Sequence, residues 1–184
     1  MENNNISESK VFFSYLTNPK IKFETYEPTE KIILLVRSHP FTQIFWIINV
    51  FVLLLFLFIV DSIIFAYFNY MQVFFLNIFA VVFILSYIWF NFLNWFFNVG
   101  IITNKRVIDI DFLNVLYKEI TVAQHGNIQD ITIKSGGYFE AFFDYGTIFI
   151  QTAGTEANIE FINVPMPAQI VQILNKLLAK KHGH

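Results

Sequence analysis

The sequence contains no cysteine, which excludes disulfides, thiolate zinc sites, iron–sulfur clusters and cysteine nucleophiles. Charge is scarce as well: 14% of the 184 residues are charged, against roughly 25% in an ordinary soluble domain. Twelve Lys+Arg stand against 14 Asp+Glu, a formal net charge of −2, so no basic excess invites a nucleic acid. What is abundant is apolar surface, 55% of the residues, with 24 Phe among them. A soluble fold of this length would struggle to bury so many rings, and the first question is where they go.

The scarcity of charge is uneven. Between Arg37 and Lys105 lie 67 residues with one formal charge, Asp61. A membrane span needs about 20 predominantly apolar residues, so this stretch holds two spans and a turn, whereas three spans would leave no polar residues for connections. Asn69-Tyr70-Met71-Gln72 is the natural break. It divides a hairpin over 41–97 into spans of about 43–66 and 73–96. A buried soluble hairpin is the competing reading, but neither segment has a polar face: from Ile44 to Val60 the one polar residue is Asn49. The first 40 residues are polar and charged, without the short apolar stretch of a cleaved signal peptide. Lys20, Lys22, Lys31 and Arg37 precede the hairpin, Lys105, Arg106 and Lys118 follow it, and the turn has no basic residue. The positive-inside rule therefore places both flanks in the cytoplasm. Trp46, Trp89 and Trp95 suit the cytoplasmic interface, and Tyr67 and Tyr70 the other.

Polar residues inside the spans are the places to look for transport or catalysis. An intramembrane carboxylate marks a functional position by default, yet neither span offers Asp61 a second ionisable group for a relay. It reads as interfacial, near the outer end of the first span, with ion coupling or helix pairing as the sharper alternative. Asn49, Asn77, Asn91 and Asn94 can hydrogen-bond between helices or protomers. Two helices have little surface with which to satisfy four amides, so the expectation is a homo-oligomer.

After Asn98 the period changes from helical to alternating, and short apolar runs are separated by turn signals. Strands are expected at about 100–103, 106–112, 115–123, 127–134, 146–152 and 158–164. In the second of these Ile108, Ile110 and Phe112 share one face and Asp109 and Asp111 the other. Beyond Pro167 an apolar stripe of Ile170, Ile173, Leu174, Leu177 and Leu178 has helical spacing, and Lys176, Lys180 and Lys181 complement the helix dipole. That helix should close an otherwise open sheet, with membrane binding of its stripe as the alternative. Ahead of the hairpin, Lys31 to Arg37 (KIILLVR) has strand length and either pairs with the β domain or forms an interfacial helix. The divisions expected are thus a polar segment 1–30, a pre-membrane strand or interfacial segment 31–40, the hairpin 41–97, a β domain 98–181 and a tail 182–184.

Several motifs sit in the order and spacing of one family. Trp95 to Asp109 (WFFNVGIITNKRVID) carries a helix into a strand that ends in Thr-Asn-x-Arg. Asn127 to Thr132 reads NIQDIT, Tyr145 to Gly154 reads YGTIFIQTAG, and Val164-Pro165-Met166-Pro167 opens the last helix. Arg37-Ser38-His39-Pro40 precedes the first span. Over residues 31–178 the chain resembles bacterial pleckstrin-homology (PH) domain membrane proteins of the YdbS-like group. The resemblance implies an α+β membrane protein, a two-helix transmembrane hairpin followed by a PH-like antiparallel β-barrel or sandwich with a C-terminal amphipathic helix. It implies a bacterial inner membrane, multi-pass, with both termini cytoplasmic, and it brings no catalytic residue or ligand.

Phosphoinositide binding is not carried over from eukaryotic PH domains. Phosphate capture needs several convergent Lys or Arg, and the first hairpin offers only Lys105 and Arg106, which with Arg37 read as basic residues at the membrane surface. From Val99 to His184 seven Lys+Arg face eight Asp+Glu. Tyr138 to Tyr145 (YFEAFFDY) packs five aromatics into eight residues. It reads as a loop completing the core, or as an exposed contact patch of Phe139, Phe142, Phe143 and Tyr145. His39, His125, His182 and His184 have no metal-ligand spacing, and no nucleophile elbow or phosphate loop is present. The expectation is a non-catalytic adaptor or assembly module without cofactor or metal. Its partners would be membrane lipids, copies of itself and an unidentified membrane protein. The alternatives are a small channel or transport accessory, and a lipid-headgroup sensor.

Overall fold

The computed structural model describes residues 14–19, 29–114, 117–153 and 158–182. Most of the polar segment 1–30, residues 154–157 and residues 183 and 184 of the tail lie outside the described residues. The chain divides into two compact units, one of Phe41–Trp95 and one of the residues up to Pro40 together with those from Phe96 onward.

The first unit is a helical hairpin. Helix α1 runs Ile44–Ile64 behind a 3-10 turn at Pro40–Gln43, and α2 runs Tyr70–Phe97. No Gly or Pro interrupts either run, so every interior N–H can reach its i−4 carbonyl. The break falls at 65–69 rather than at 69–72. Gln72 causes the shift: its Oε1 accepts the Asn69 N–H at 3.1 Å, the reach-back half of a capping box that turns Tyr70, Met71 and Gln72 into the first turn of α2. No residue of α1 is buried, and in α2 only Val73 and Ile84 are.

The second unit holds eight strands among the described residues: β1 Tyr15–Thr17, β2 Ile32–Val36, β3 Val99–Thr103, β4 Arg106–Asn114, β5 Tyr117–Gln124, β6 Ile128–Lys134, β7 Tyr145–Thr152 and β8 Ile159–Pro165. A short helix α3, Tyr138–Phe143, precedes β7, and α4, Pro167–His182, follows β8. The strands form two antiparallel sheets, β1 to β5 in chain order and β6-β7-β8. The pre-membrane run pairs with the domain, Leu34 opposite Ile102 and Leu35 opposite Ile101. Beyond it lies β1, a strand too short to leave a period in the sequence, in register with β2 through Leu16 and Leu35. Val115 and Leu116, expected to open the third strand, lie outside the described residues, and β5 starts at Tyr117.

The main core lies between the sheets and under α4. Leu34, Val36, Ile102, Val107 and Ala123 face Ile148, Ile150, Ile159, Phe161 and Val164, with Ile170 and Leu174 of α4 closing the layer. Burying an aliphatic side chain of this size contributes roughly 1.5–3 kcal/mol. A second cluster of Ile32, Ile101 and Ile108, with Ile110, Ile120 and Val122 beside it, occupies the opposite face of the larger sheet. The acidic face of β4 is therefore the inner one. Asp109 and Asp111 follow Val107 at strand period toward the smaller sheet, and Ile108 and Ile110 point away from it.

Candidate functional site

The aromatic segment is a helix, not a loop. Gly137, with φ of 150°, takes a conformation that L side chains rarely adopt and turns the chain into α3. The Glu140 carboxylate accepts the Gly136 N–H, and Asp144 ends the helix in the left-handed region with φ of 49°. Tyr138, Phe139 and Phe142 are 94%, 60% and 81% exposed, and Phe143 37%. Tyr145 does not belong with them. It is buried at 7% exposure, because it opens β7 with its ring stacked on His39 at 5.4 Å and 12°. Phe143 leans on the same imidazole, ring centroids 6.4 Å apart. His39 is fixed by its N–H to the Asn163 carbonyl at 2.7 Å, and Ser38 Oγ donates to the Ile162 carbonyl at 3.0 Å. Burial pushes the His39 imidazole below its usual range, and Asp144 offsets part of that.

Two of the three residues read as basic groups at the surface are inside the protein. Arg37 is 6% exposed, its guanidinium 4.7 Å from the centroid of the Phe96 ring, a cation–π contact; burial holds its pKa below the ordinary value. Arg106 is committed to Glu30, a fully buried carboxylate, through Nε at 2.9 Å and Nη2 at 3.0 Å. Lys105 remains exposed and donates to Thr29 Oγ1 at 2.8 Å. The first β hairpin thus keeps a single exposed cation, short of what a phosphate needs.

A cleft of about 150 Å³ runs along the seam between the sheets, lined in part by Arg37, Asn98, Asp109, Asp111 and Glu160. Asp109 is 7% exposed. Burial, the like charge of Asp111 and, more weakly, that of Glu160 push its carboxyl up to about 7, against hydrogen bonds from the backbone N–H groups of Glu160 and Ile110. Burial, Glu119 and Glu160 also raise Asp111. The seam thus gathers three carboxyl groups, two of which burial and like charge shift toward the protonated form. Among the described residues no group of three or more His, Asp or Glu is placed to hold a metal ion. His125, in a 3-10 turn, is buried with Nε2 2.9 Å from the Thr103 carbonyl.

In the hairpin, Asn77 Nδ2 donates to Asp61 Oδ1 at 2.9 Å and to the Val73 carbonyl at 3.1 Å. Asn91 donates to the Tyr87 carbonyl one turn back at 2.8 Å, and Asn49 lies 3.5 Å from the Tyr87 hydroxyl. Two of the amides that argued for an oligomer are therefore satisfied within one hairpin. Glu30 and Glu160 were missed as site residues, since nothing local in the sequence marks either one. Asp109 and Asp111 stood out as one face of β4, but apolar groups cover both faces of that strand, so the period alone does not say which face is inward.

The profile of the bacterial PH domain family matches residues 32–178, from the first residue of β2 through the hairpin to α4. The chain belongs to this family. Membership of the bacterial PH domain family points to a non-catalytic module, and the two helices are long and apolar enough to cross a membrane. No curated protein matches the chain. Among solved structures it is similar to a DUF1696 family protein with a pleckstrin-homology domain from Shewanella loihica, at 19% identity and a TM-score of 0.33, over 45% of this chain and 68% of that one.

Proposed function

We propose that this bacterial PH domain protein is a membrane-tethered, non-catalytic adaptor or assembly module, held at the cytoplasmic face of the inner membrane by its hairpin and associating with copies of itself. The observation that carries this reading is the contrast between the units. The β unit closes a core of its own, whereas α1 and α2, of 21 and 28 residues, leave most of their apolar side chains exposed. At 1.5 Å per residue both exceed the roughly 30 Å hydrocarbon core of a bilayer. Association is assigned to the hairpin: Asn49 is exposed on α1 with a contact at the outer limit of hydrogen bonding, which leaves its amide available to a neighbouring protomer.

Fractionation and cross-linking in native membranes test the proposal. The chain should resist alkaline carbonate extraction, and a cross-linker should give a ladder of multiples that an Asn49→Leu change weakens. A chain released into the soluble fraction and monodisperse without detergent would end the membrane reading; a carbonate-resistant chain that never cross-links would end self-association alone.

A further inference from the structure

Helix α3 turns three aromatic rings outward, and its place in the β unit says what they meet. Phe143 at its end rests on His39, the residue directly before Pro40, where the first long apolar helix begins. Arg37, two residues earlier, packs on Phe96, where the chain returns from that hairpin. Both covalent links to the hairpin thus leave the β unit beside the stretch from Arg37 to His39, against which the end of α3 packs. Six residues of helix are about 9 Å long, and the headgroup layer adds roughly 5–7 Å to each side of the hydrocarbon core. A Tyr and Phe cluster that close to a crossing point has the composition of an interfacial belt.

Charge argues against the other occupant, a second copy. From Ser135 to Tyr145 the charges are Glu140 and Asp144, with no Lys or Arg. A two-fold contact between α3 helices places the same patch on both sides, bringing four carboxylates together, and the nearest basic residue in sequence, Lys134, is turned onto the Phe149 ring of β7. Against lipid, the Glu140 carboxylate is already turned onto the Gly136 N–H. The rings can be buried while the acids stay at the rim.

We propose that Tyr138, Phe139 and Phe142 dip into the headgroup layer of the bilayer, a third membrane attachment that fixes how the β unit faces the lipid. This rests on the reading of the hairpin as membrane-spanning. Without basic residues in the patch, attachment depends on ring burial, not on anionic lipid, and survives high salt.

The absence of native cysteine allows a single introduced thiol to carry an environment-sensitive dye. Full-length Phe142→Cys, Ile59→Cys on α1 and Gln172→Cys on α4, all at exposed positions, are reconstituted in phosphatidylethanolamine vesicles with and without phosphatidylglycerol. Brominated acyl chains and aqueous iodide serve as quenchers. The proposal expects the dyes at 142 and 59 to lose emission to brominated lipid and to be shielded from iodide, and the dye at 172 to do the reverse, in both lipid mixtures and at high salt. Free iodide access at 142 beside lipid quenching at 59 overturns the proposal and leaves the hairpin reading standing. Shielding of position 142 from both quenchers assigns α3 to a protein contact and also overturns it. Failure of lipid quenching at 59 removes the membrane reading, and the proposal falls with it.

Discussion

Glu30 and Arg106 meet across 76 positions of sequence in a two-pronged ion pair, Nε to Oε1 at 2.9 Å and Nη2 to Oε2 at 3.0 Å. The pair fastens the segment before β2 to the start of β4, and it does so inside the protein, where the Glu30 side chain has no exposure and that of Arg106 has 17%. Around it, Asn104 exchanges hydrogen bonds with the backbone of Lys31, accepting through Oδ1 at 2.8 Å and donating its N–H at 3.0 Å. The β hairpin that the sequence offered as a basic turn is a clasp.

Removing one partner of a buried pair strands the other charge, which costs about 3–5 kcal/mol, whereas replacing both by apolar residues is often close to neutral. Arg106→Met should therefore destabilise the β unit by that amount, and Glu30→Leu with Arg106→Met should restore most of it. Denaturant unfolding of the detergent-solubilised chain, followed by amide exchange in 99–124, checks both. Equal losses in the single and double variants would show that the pair is not buried as described.

Asp109 gives the β unit a pH dependence of definite sign. Its carboxyl is near 7 in the fold against an ordinary 3.8, so the folded state binds the proton more tightly than the unfolded chain does. Its contribution to stability is fully present below about pH 4 and is lost as pH rises through 7. The loss is on the order of 4 kcal/mol at most. Asp109→Asn keeps an oxygen to accept the Glu160 N–H and removes the titration, so its unfolding free energy should be flatter between pH 5 and 8 than that of the parent protein. A parent curve with the same slope over that interval as the Asp109→Asn curve contradicts the assignment.

The strands were legible because Ile and Val alternate with polar residues from Gly100 to Val164, and the last helix because its stripe keeps a 3.6 period from Ile170 to Leu178. Strand period tells which residues share a face, however, and not which face is inside. On β4 both faces end up against apolar groups, Val107 with the main core and Ile108 with the second cluster. The seam carboxylates thus became visible only once the smaller sheet was in place. Helix α3 is six residues long, too short to be stable alone; Gly137 and the packing of Phe143 and Tyr145 on His39 hold it. The Glu30–Arg106 pair depends on a contact between distant segments, which no local pattern encodes.

In the hairpin, Asp61 and Asn77 form a cross-helix hydrogen bond of 2.9 Å. Such bonds in a bilayer are worth roughly 0.6–2 kcal/mol. Asn77→Leu should loosen the turn end of the hairpin, read as a broader distribution between spin labels at 59 and 79, whereas Ser62→Ala, which removes a bond to the chain's own Phe58 carbonyl, should leave the distribution unchanged. Ion leak from vesicles should not change with Asp61→Asn, since a carboxylate held by Asn77 is not free to line a pore. A leak that responds to this substitution would favour the transport reading.

Gly100 lies where Phe161 of the smaller sheet packs tightly against the larger one. It is paired with Asp109 across β3 and β4, and a Cβ placed on it would lie 2.5 Å from Phe161 Cε1 and 2.8 Å from Val36 Cγ2. Neither neighbour can retreat, because Phe161 is 2% exposed and Val36 fully buried in the main core. Overpacking of this kind costs about 1–3 kcal/mol, so Gly100→Ala should lower the unfolding midpoint. Phe161→Leu on the same background removes the ring edge that clashes, and it should recover part of the loss even though Phe161→Leu alone is destabilising. That sign reversal is the diagnostic: losses that simply add would mean that Gly100 is needed for its backbone and not for the space it leaves to the smaller sheet.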